Sequence, residues 1–537
     1  MSDKQNKRAE DAARIRELEE KLAAKEAEVI RLQQKLERMN EILLNADRAR
    51  FGQSSEKKVY VMNEGSVQLS LFNEAEMEQN IKAPEPTIED AEQVEVAAHK
   101  RSKKRTIDEK FKGLPVKQVV LSLPEDELKC GRCGGQFVLI GKKVVRREMI
   151  LIPQQKYIVE YITCTYACHN CEKKTGYSNI VETVAPPPLM KHSLASPSTV
   201  ADVMTRKYVD GLPLARQEKI WKREGIELSR ATMANWVIKC SEDWLKHVYR
   251  RMKHHLLEKS SVIHADETVV QVLKEPGKTA ASESRMWVYA SGERSSGQVR
   301  IFEYQPDRNG ERAASFLKGY DKCLVTDGYA GYNKVSGVTR CGCWAHMRRK
   351  WREAMPKGAT TQTSQAAVGY QYCNRLFGLE REYAGLSDAE RRKMRREKAV
   401  PLLDAYWSWV ESLDAVPGSK LSDAITYAKN QKTPLMAFLE HGEVDISNNP
   451  AENAIRPFVV GRKNWLFSDT VKGAVASSVV YSIVETAKAN GVEPYAYLLR
   501  LLSIMPALGK TPPNDELDKL MPWHPEMTES LRNKSNM

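Results

Sequence analysis

Between Ile15 and Leu43, apolar residues recur at alternating steps of three and four: Ile15, Leu18, Leu22, Val29, Leu32, Leu36, Met39 and Leu43, with Lys25 taking one seam position. A heptad stripe of about four repeats predicts a helix over residues 1–50 whose apolar edge needs cover. Either a second copy supplies it in a coiled coil, or the helix folds back onto its own protein. The expectation is a homodimer through this leucine-zipper-like helix, with Lys25 biasing the register at some cost in stability. RFGQSSEKK at 50–58 breaks the period, and residues 74–112 turn acidic, proline-containing and finally basic. Residues 51–112 therefore read as a linker, and its basic run HKRSKKR at 99–105 as a solvated charge run.

Beyond the linker, MILIPQQKYIVEYITC is strand-like, and Pro186-Pro187-Pro188 marks a break. SPSTVADVMTRKYVDG, PLARQEKIWKREG and LSRATMANWVIKCSEDWLKHV then read as helices, with Gly225 closing the second and Ser229 capping the third. A glycine-containing turn between two helices, the second carrying Arg230, Thr232, Asn235 and Lys239, fits a helix-turn-helix that enters the major groove. An ordinary helical bundle fits the same pattern. Residues 261–273, 285–291 and 299–304 read as three consecutive strands, followed by a helix at 309–318 and a strand at 322–327. That order is the opening of a ribonuclease-H-like α/β sheet. Residues 356–440 are helical and charged, including RRKMRREK at 391–398, and read as an insertion.

The chain has 537 residues, room for three or four domains at about 150 residues each. Its formal charge of +13 points to a polyanionic partner, nucleic acid first. The N-terminal MSDKQNKRAEDAARI lacks the apolar core of a signal peptide, and no apolar run approaches the ~20 residues of a membrane span. Secretion and membrane insertion are disfavoured. Ten cysteines are too few for a disulfide scaffold, and five of them fall between Cys130 and Cys171. Cys130-Gly-Arg-Cys133 and Cys168-His-Asn-Cys171 are two Cys-x-x-Cys pairs of the kind that hold one structural Zn²⁺ with four thiolates. Cys164 and His169 are competing ligands, and a pair of buried or redox-active thiol couples is the alternative. Cys341 and Cys343 also form a pair, with nothing near them in sequence to complete a metal shell, and read as structural.

Three acids stand out. Asp266 lies among Val262, Ile263, Val269 and Val270, where an ionised carboxylate is costly unless paired or bound to a cation. Asp327 ends the Leu324-Val325 strand before Gly328, the kind of strand end at which open α/β sheets place ligands. Glu452 lies in ISNNPAENAIRPFVVGRKNWLF, on a helix that Asn448 or Asn449 caps and that carries Pro450 in its first turn. Arg456, one turn on, makes either a surface ion pair with Glu452 or part of a basic cluster with Arg462 and Lys463. Pro457 is expected to kink or end that helix.

The strings RFGQSSEK, CGRCGG with YACHNC, KYVDGLPLARQEKIWKREGIELSRATMANWV, HADET, TDGYAGYN, CWAHMRRKW and NNPAENAIRPFVVGRKNWLFS together resemble the insertion-sequence 66 family of bacterial transposases, over nearly the whole chain. The resemblance implies a DDE transposase in the bacterial cytoplasm, associated with the nucleoid. Asp266 matches its first aspartate, Asp327 its second and Glu452 its glutamate. Where the family commonly has a basic residue after that glutamate, this chain has Asn453. The fold expected is a multidomain α/β chain: a coiled coil over 1–50, the linker over 51–112, a zinc-binding module over 113–185 and a helix-turn-helix over 186–250. A ribonuclease-H-like catalytic core then occupies 251–355 and 445–510, split by a helical insertion over 356–444, with a C-terminal tail over 511–537.

On this reading two Mg²⁺ (or Mn²⁺) ions bind Asp266, Asp327 and Glu452, with Asp266 bridging. Arg456, Arg462 and Lys463 contact phosphates, as do His346, Arg348 and Arg349 in CWAHMRRKW, although Trp344 and Trp351 make core packing of His346 an equal alternative. The partners expected are double-stranded DNA, at terminal inverted repeats and at the target, a second copy of the chain, and accessory proteins of the same element. Two rivals remain: a non-catalytic DNA-binding regulator, and a ribonuclease-H-like nuclease that cleaves without joining.

Overall fold

The computed structural model describes residues 154–168, 177, 179–356 and 358–531, together with Arg14, Leu18, Lys21, Lys25, Glu28 and Met39 singly. Those six are helical and exposed. Cys130, Cys133, His169 and Cys171 lie outside the described residues, and only the backbone of Cys168 is placed. The chain divides into two units, one of residues 55–185 and one of 1–54 with 186–537.

In the first unit, β1 (Thr165–Cys168) pairs antiparallel with β2 (Asn179–Glu182). Thr163 Oγ1 donates to Glu182 Oε1 at 3.0 Å beside it. Residues 154–164, expected to be extended strand, carry no ladder. A strand exists only where neighbouring backbone satisfies its N–H and C=O groups, and among the described residues that partner begins opposite Thr165.

The second unit opens with α1 (Pro197–Tyr208), α2 (Leu214–Arg223) and α3 (Arg230–Cys240). Ser196 and Ser229 accept from the backbone N–H of Thr199 and Thr232, so each supplies the N-terminal cap its helix needs. Gly225 turns the chain at φ +80° after α2. The Glu218 carboxylate then accepts from Arg230 N at 3.0 Å, joining α2 to the start of α3. Through a π-helical turn at Ser241–Leu245, α3 continues into α4 (Lys246–Lys259), so the helical segment runs past residue 250 to the edge of the sheet.

The sheet contains β3 (Val262–Lys274), β4 (Glu283–Ser291), β5 (Arg300–Gln305), β6 (Cys323–Thr326) and β7 (Thr339–Gly342), with α5 (Gly310–Phe316) between β5 and β6. Its order is β5-β4-β3-β6-β7; the first three strands are antiparallel neighbours, and β6 and β7 run parallel to β3. Side chains alternate between faces. Ile263, Ala265 and Leu324 join a core shared with α1, α3 and the C-terminal helices, whereas Val262, Cys323, Val325 and Cys341 join a second core.

That second core belongs to the insertion: α6 (Trp344–Ala354), α7 (Gln365–Glu382), α8 (Asp388–Met394), α9 (Val400–Ser412) and α10 (Lys420–Ala437). Arg395, fully buried, is held by Glu380 at 2.6 and 2.8 Å and donates to the carbonyls of Phe438, His441 and Val444. The chain returns through α11 (Asn449–Trp465), β8 (Ser468–Thr470), which pairs with the far end of β3, and α12 (Val471–Ala489). Pro457 does not end α11, which runs on to Trp465. On α12, Ser482, Thr486 and Asn490 stand four residues apart and accept from the backbone N–H of Phe302, Arg300 and Gln298, covering the outer edge of β5. After α13 (Pro494–Leu508), the expected tail forms α14 (Asn514–Lys519) and α15 (Pro525–Ser530) and buries Leu517, Leu520, Met521 and Met527. These apolar residues carry it into the first core.

Arg395→Met leaves three carbonyls without this donor and the buried Glu380 with Arg391 alone, so it is expected to cost at least about 3 kcal/mol in chemical denaturation. Removing the exposed Arg392 from its pair with Glu440 should cost under about 1 kcal/mol.

Candidate active site

The ladder between β3 and β6 pairs Val262 with Cys323 and His264 with Val325. Asp266 lies two residues past that pairing and shares the parity of Val262, on the face that carries the insertion, while Asp327 follows the end of β6 near enough for its negative charge to act on Asp266. Asp266 accepts from Glu267 N at 2.8 Å. Burial pushes its carboxyl up to about 7, and the negative charges of Glu267, Asp327 and Glu452 add to that rise against the backbone hydrogen bond. Asp327 Oδ1 accepts from Tyr329 N at 2.9 Å in the turn after β6. Gly328 in that turn is closed in by Tyr427, whose ring would lie 2.5 Å from an added Cβ.

Glu452 reaches the same place from α11. Asn448, fully buried, occupies the N-cap position but does not cap the helix with its side chain, contrary to expectation. Its amide serves the sheet instead: Nδ2 donates to the Ala265 carbonyl at 2.9 Å, and Oδ1 lies 3.3 Å from His264 Nδ1. Its backbone N–H donates to Cys343 Sγ at 3.1 Å. One residue therefore ties the first turn of α11, which carries Glu452, to the strand segment just before Asp266 and to the start of α6. Burial lowers the His264 imidazole to about 4, so it is a neutral partner for this amide.

The other predicted residues separate into groups. His346 Nδ1 stands 3.6 Å from Glu452 Oε1, and Arg349 lies 3.5 Å from Glu452 Oε2. Burial lowers the His346 imidazole, and the neighbouring Glu452 charge opposes that shift. Arg348 turns away, stacking its guanidinium 4.7 Å from the Phe377 ring of α7. Arg462 donates to Thr268 Oγ1 and to the Val269 carbonyl, fastening α11 to β3. Arg456 and Lys463 are exposed on α11, and Arg456 makes no ion pair with Glu452. On α3, Arg230, Asn235 and Lys239 are exposed, while Met233, Trp236, Val237 and Cys240 face the core. Thr232 is half-buried and bonds Ser229, and Lys239 pairs with Asp243 at 2.8 Å.

Asp266, Asp327 and Glu452 are all oxygen donors, the type that suits a hard cation, and the negative charges of Asp327 and Glu452 act on Asp266, but the three are not among the groups of described residues whose ligand atoms lie within 4.8 Å of one another. Glu452 also shares a site with Cys343 and His346, their ligand atoms all within 4.8 Å of one another. The folded chain thus brings nitrogen and oxygen donors to Cys343 that its neighbours in sequence do not provide. Glu452 Oε1 and His346 Nδ1 are buried and lack hydrogen-bond partners. In the sequence Asn448 reads only as a helix cap and Cys343 as structural, and His264 carries no role of its own. Glu267, on the opposite face from Asp266, is held by Tyr332 Oη and Arg308, each at 2.6 Å.

Residues 192–476, more than half the chain, match the model of the "Transposase IS66 family". The chain belongs to the IS66 transposase family. It is a DNA transposase. Further IS66 matches cover 482–523 (the C-terminal element), 127–172 (a zinc-finger binding domain) and 38–119 ("Transposase C of IS166 homeodomain"). The zinc-finger match brackets Cys130, Cys133, Cys168 and Cys171. Relatives of this transposase include the uncharacterized proteins y4qI and y4jD of Sinorhizobium fredii (strain NBRC 101917 / NGR234). The first is 30% identical over 419 residues, 74% of each chain; the second is 27% identical over 428 residues, 77% of this chain and 81% of its own. Among solved structures, the "Drosophila P element transposase strand transfer complex" aligns at a TM-score of 0.24 and 12% identity, over 59% of this chain and 93% of that one. No helix among the described residues is long and apolar enough to cross a membrane.

The crowding of charge at Asp266 has a measurable sign. Its folded carboxyl titrates near 7, whereas an unfolded aspartate titrates near ~4, so ionisation opposes folding increasingly as pH rises through that interval. In the presence of a chelator, Asp266→Asn is expected to stabilise the protein at pH 8 by roughly 2–4 kcal/mol, with the gain shrinking below pH 7 and gone near ~4. Thermal unfolding at a series of pH values checks this; equal stability of the two proteins at pH 8 refutes it.

Proposed function

We propose that this transposase cleaves DNA at the ends of its element and joins the freed ends to target DNA, at a ribonuclease-H-like centre formed by Asp266, Asp327 and Glu452. The observation that supports the reading is the Asn448 anchor, which ties the helix carrying Glu452 to the Ala265 carbonyl beside Asp266, on the strand whose parallel ladder with β6 leads toward Asp327. A sheet with three antiparallel strands followed by two parallel ones, the first aspartate on its central strand, is the arrangement expected of that fold.

The three carboxylates are the residues that would hold Mg²⁺ or Mn²⁺. The fit is chemical: all donors are oxygens, Asp266 is held near 7 by burial and neighbouring negative charge, and Glu452 Oε1 is buried without a donor. When bound, two such ions supply charge stabilisation at the attacking and leaving oxygens of a phosphodiester. The chain's own residues position the rest. Asn448 orients the helix that carries Glu452, and Arg349 donates to its carboxylate. Exposed Arg456 and Lys463 offer cations to the phosphate backbone beside the site, while Arg230, Asn235 and Lys239 form the outward face with which α3 reads terminal repeats in the major groove. One Zn²⁺ on Cys130, Cys133, Cys168 and Cys171 stabilises the finger, supported by the match at 127–172. The heptad helix pairs two subunits so that both element ends are held together, and accessory proteins of the same element join them.

Incubation with a labelled terminal repeat, a target plasmid and Mg²⁺ is expected to yield cleaved and joined products. Asp327→Asn and Glu452→Gln should each lower both at least about 10³-fold, consistent with several kcal/mol of lost charge stabilisation, with repeat binding retained. Cleavage without joining would make the protein a nuclease, and binding with no cleavage a regulator. Full activity in Glu452→Gln would overturn the assignment.

A further inference from the structure

A second group of metal-binding side chains lies elsewhere on the sheet. Cys323 opens β6, at the opposite end of that strand from Asp327, and Cys341 is the third residue of β7. The strands are parallel neighbours, with Val325 level with Cys341, and both cysteines are free thiols buried on the insertion face. Cys341 stands diagonal to Cys323 across that ladder, and its thiol donates to the Thr339 carbonyl at 3.8 Å. From the other side comes the segment that leaves α10, where His441 Nδ1 lies 3.4 Å from Glu443 Oε1. Ligand atoms of Cys323, His441 and Glu443 all fall within 4.8 Å of one another. These four residues are used by nothing in the DNA chemistry above.

We propose that Cys323, Cys341, His441 and Glu443 form a second structural zinc site, tying the end of the insertion to strands β6 and β7. Two thiols, an imidazole and a carboxylate make a four-donor set of the softness that selects zinc over magnesium. His441 and Glu443 are half-buried, which leaves the ion a path inward, while the thiols are closed off beneath them. The charge that faces the group is the Arg395 guanidinium, neutralised by Glu380 at 2.6 Å. Arg395 grips the same segment through the carbonyls of Phe438, His441 and Val444. Zinc takes cysteine as thiolate, so uptake at this site releases protons. The segment so fixed leads within a few residues to Asn448, and the site therefore steadies the approach of Glu452 without touching DNA.

The test is the zinc content of the purified full chain after dialysis against a weak chelator. The expected result is about two equivalents, falling to about one in His441→Ala and in Cys323→Ser. A full chain with Cys130, Cys133, Cys168 and Cys171 all changed to serine should still hold about one, which separates this site from the finger. Cobalt substitution of that variant should give a sulfur-to-cobalt charge-transfer band that is lost in Cys341→Ser, and Glu443→Gln, at a half-exposed position, should weaken binding at least about tenfold. Zinc content unchanged by His441→Ala overturns the proposal, as does a four-serine variant that folds but holds no metal, or thiol counting that finds Cys323 and Cys341 joined as a disulfide.

Discussion

The parallel register of β3 against β6 is the constraint on which the rest of the site depends. Adjacent strands lie about 4.8 Å apart, and with Val262 paired to Cys323 the ladder runs to His264 and Val325, each two residues short of an acid: Asp266 further along β3, and Asp327 in the turn after β6. The negative charge of Asp327 acts on Asp266, and like charges repel. The ladder holds against that because each strand is also fixed by its other neighbour, β4 on one side and β7 on the other, and by an apolar core on each face. A slip of one residue would turn one acid to the wrong face.

The third acid arrives by a longer route. Between Asp327 and Glu452 the chain builds the insertion, whose own core closes against the faces of β6 and β7. Its exit is held at several points: Trp344 Nε1 donates to the Leu435 carbonyl, Arg395 binds three carbonyls around His441, and Trp344 N donates to the Ile446 carbonyl. Asn448 completes the series by bonding Ala265 and Cys343. Buried polar groups are costly when left unpaired and directional when satisfied. Here they make the position of Glu452 a property of the folded insertion rather than of its own helix.

Positive charge is sorted by the same packing. Of the basic residues near the acids, Arg348 and Arg462 are drawn into contacts with the insertion and with β3, while Arg349 reaches Glu452 and Arg456 and Lys463 remain exposed. Clustering in sequence could not separate them, because neighbours on a helix point in different directions and only the surrounding elements decide which side is covered.

Local rules made much of this chain legible before folding was considered. The capping serines, Gly225, the three consecutive strands and the helical stretch after them follow from short-range preferences, and the acids declared themselves by standing in apolar or strand-end settings. The same rules misjudged Asn448 and residues 154–164, since a side-chain cap and a strand each depend on what else is within reach. Residue periodicity determined the elements and named the acids, because those signals act within a few residues of one another. The tertiary structure decided that Asn448 ties the helix carrying Glu452 to His264, Ala265 and Cys343, because buried hydrogen bonds join segments whose separation along the chain carries no trace of their distance in space.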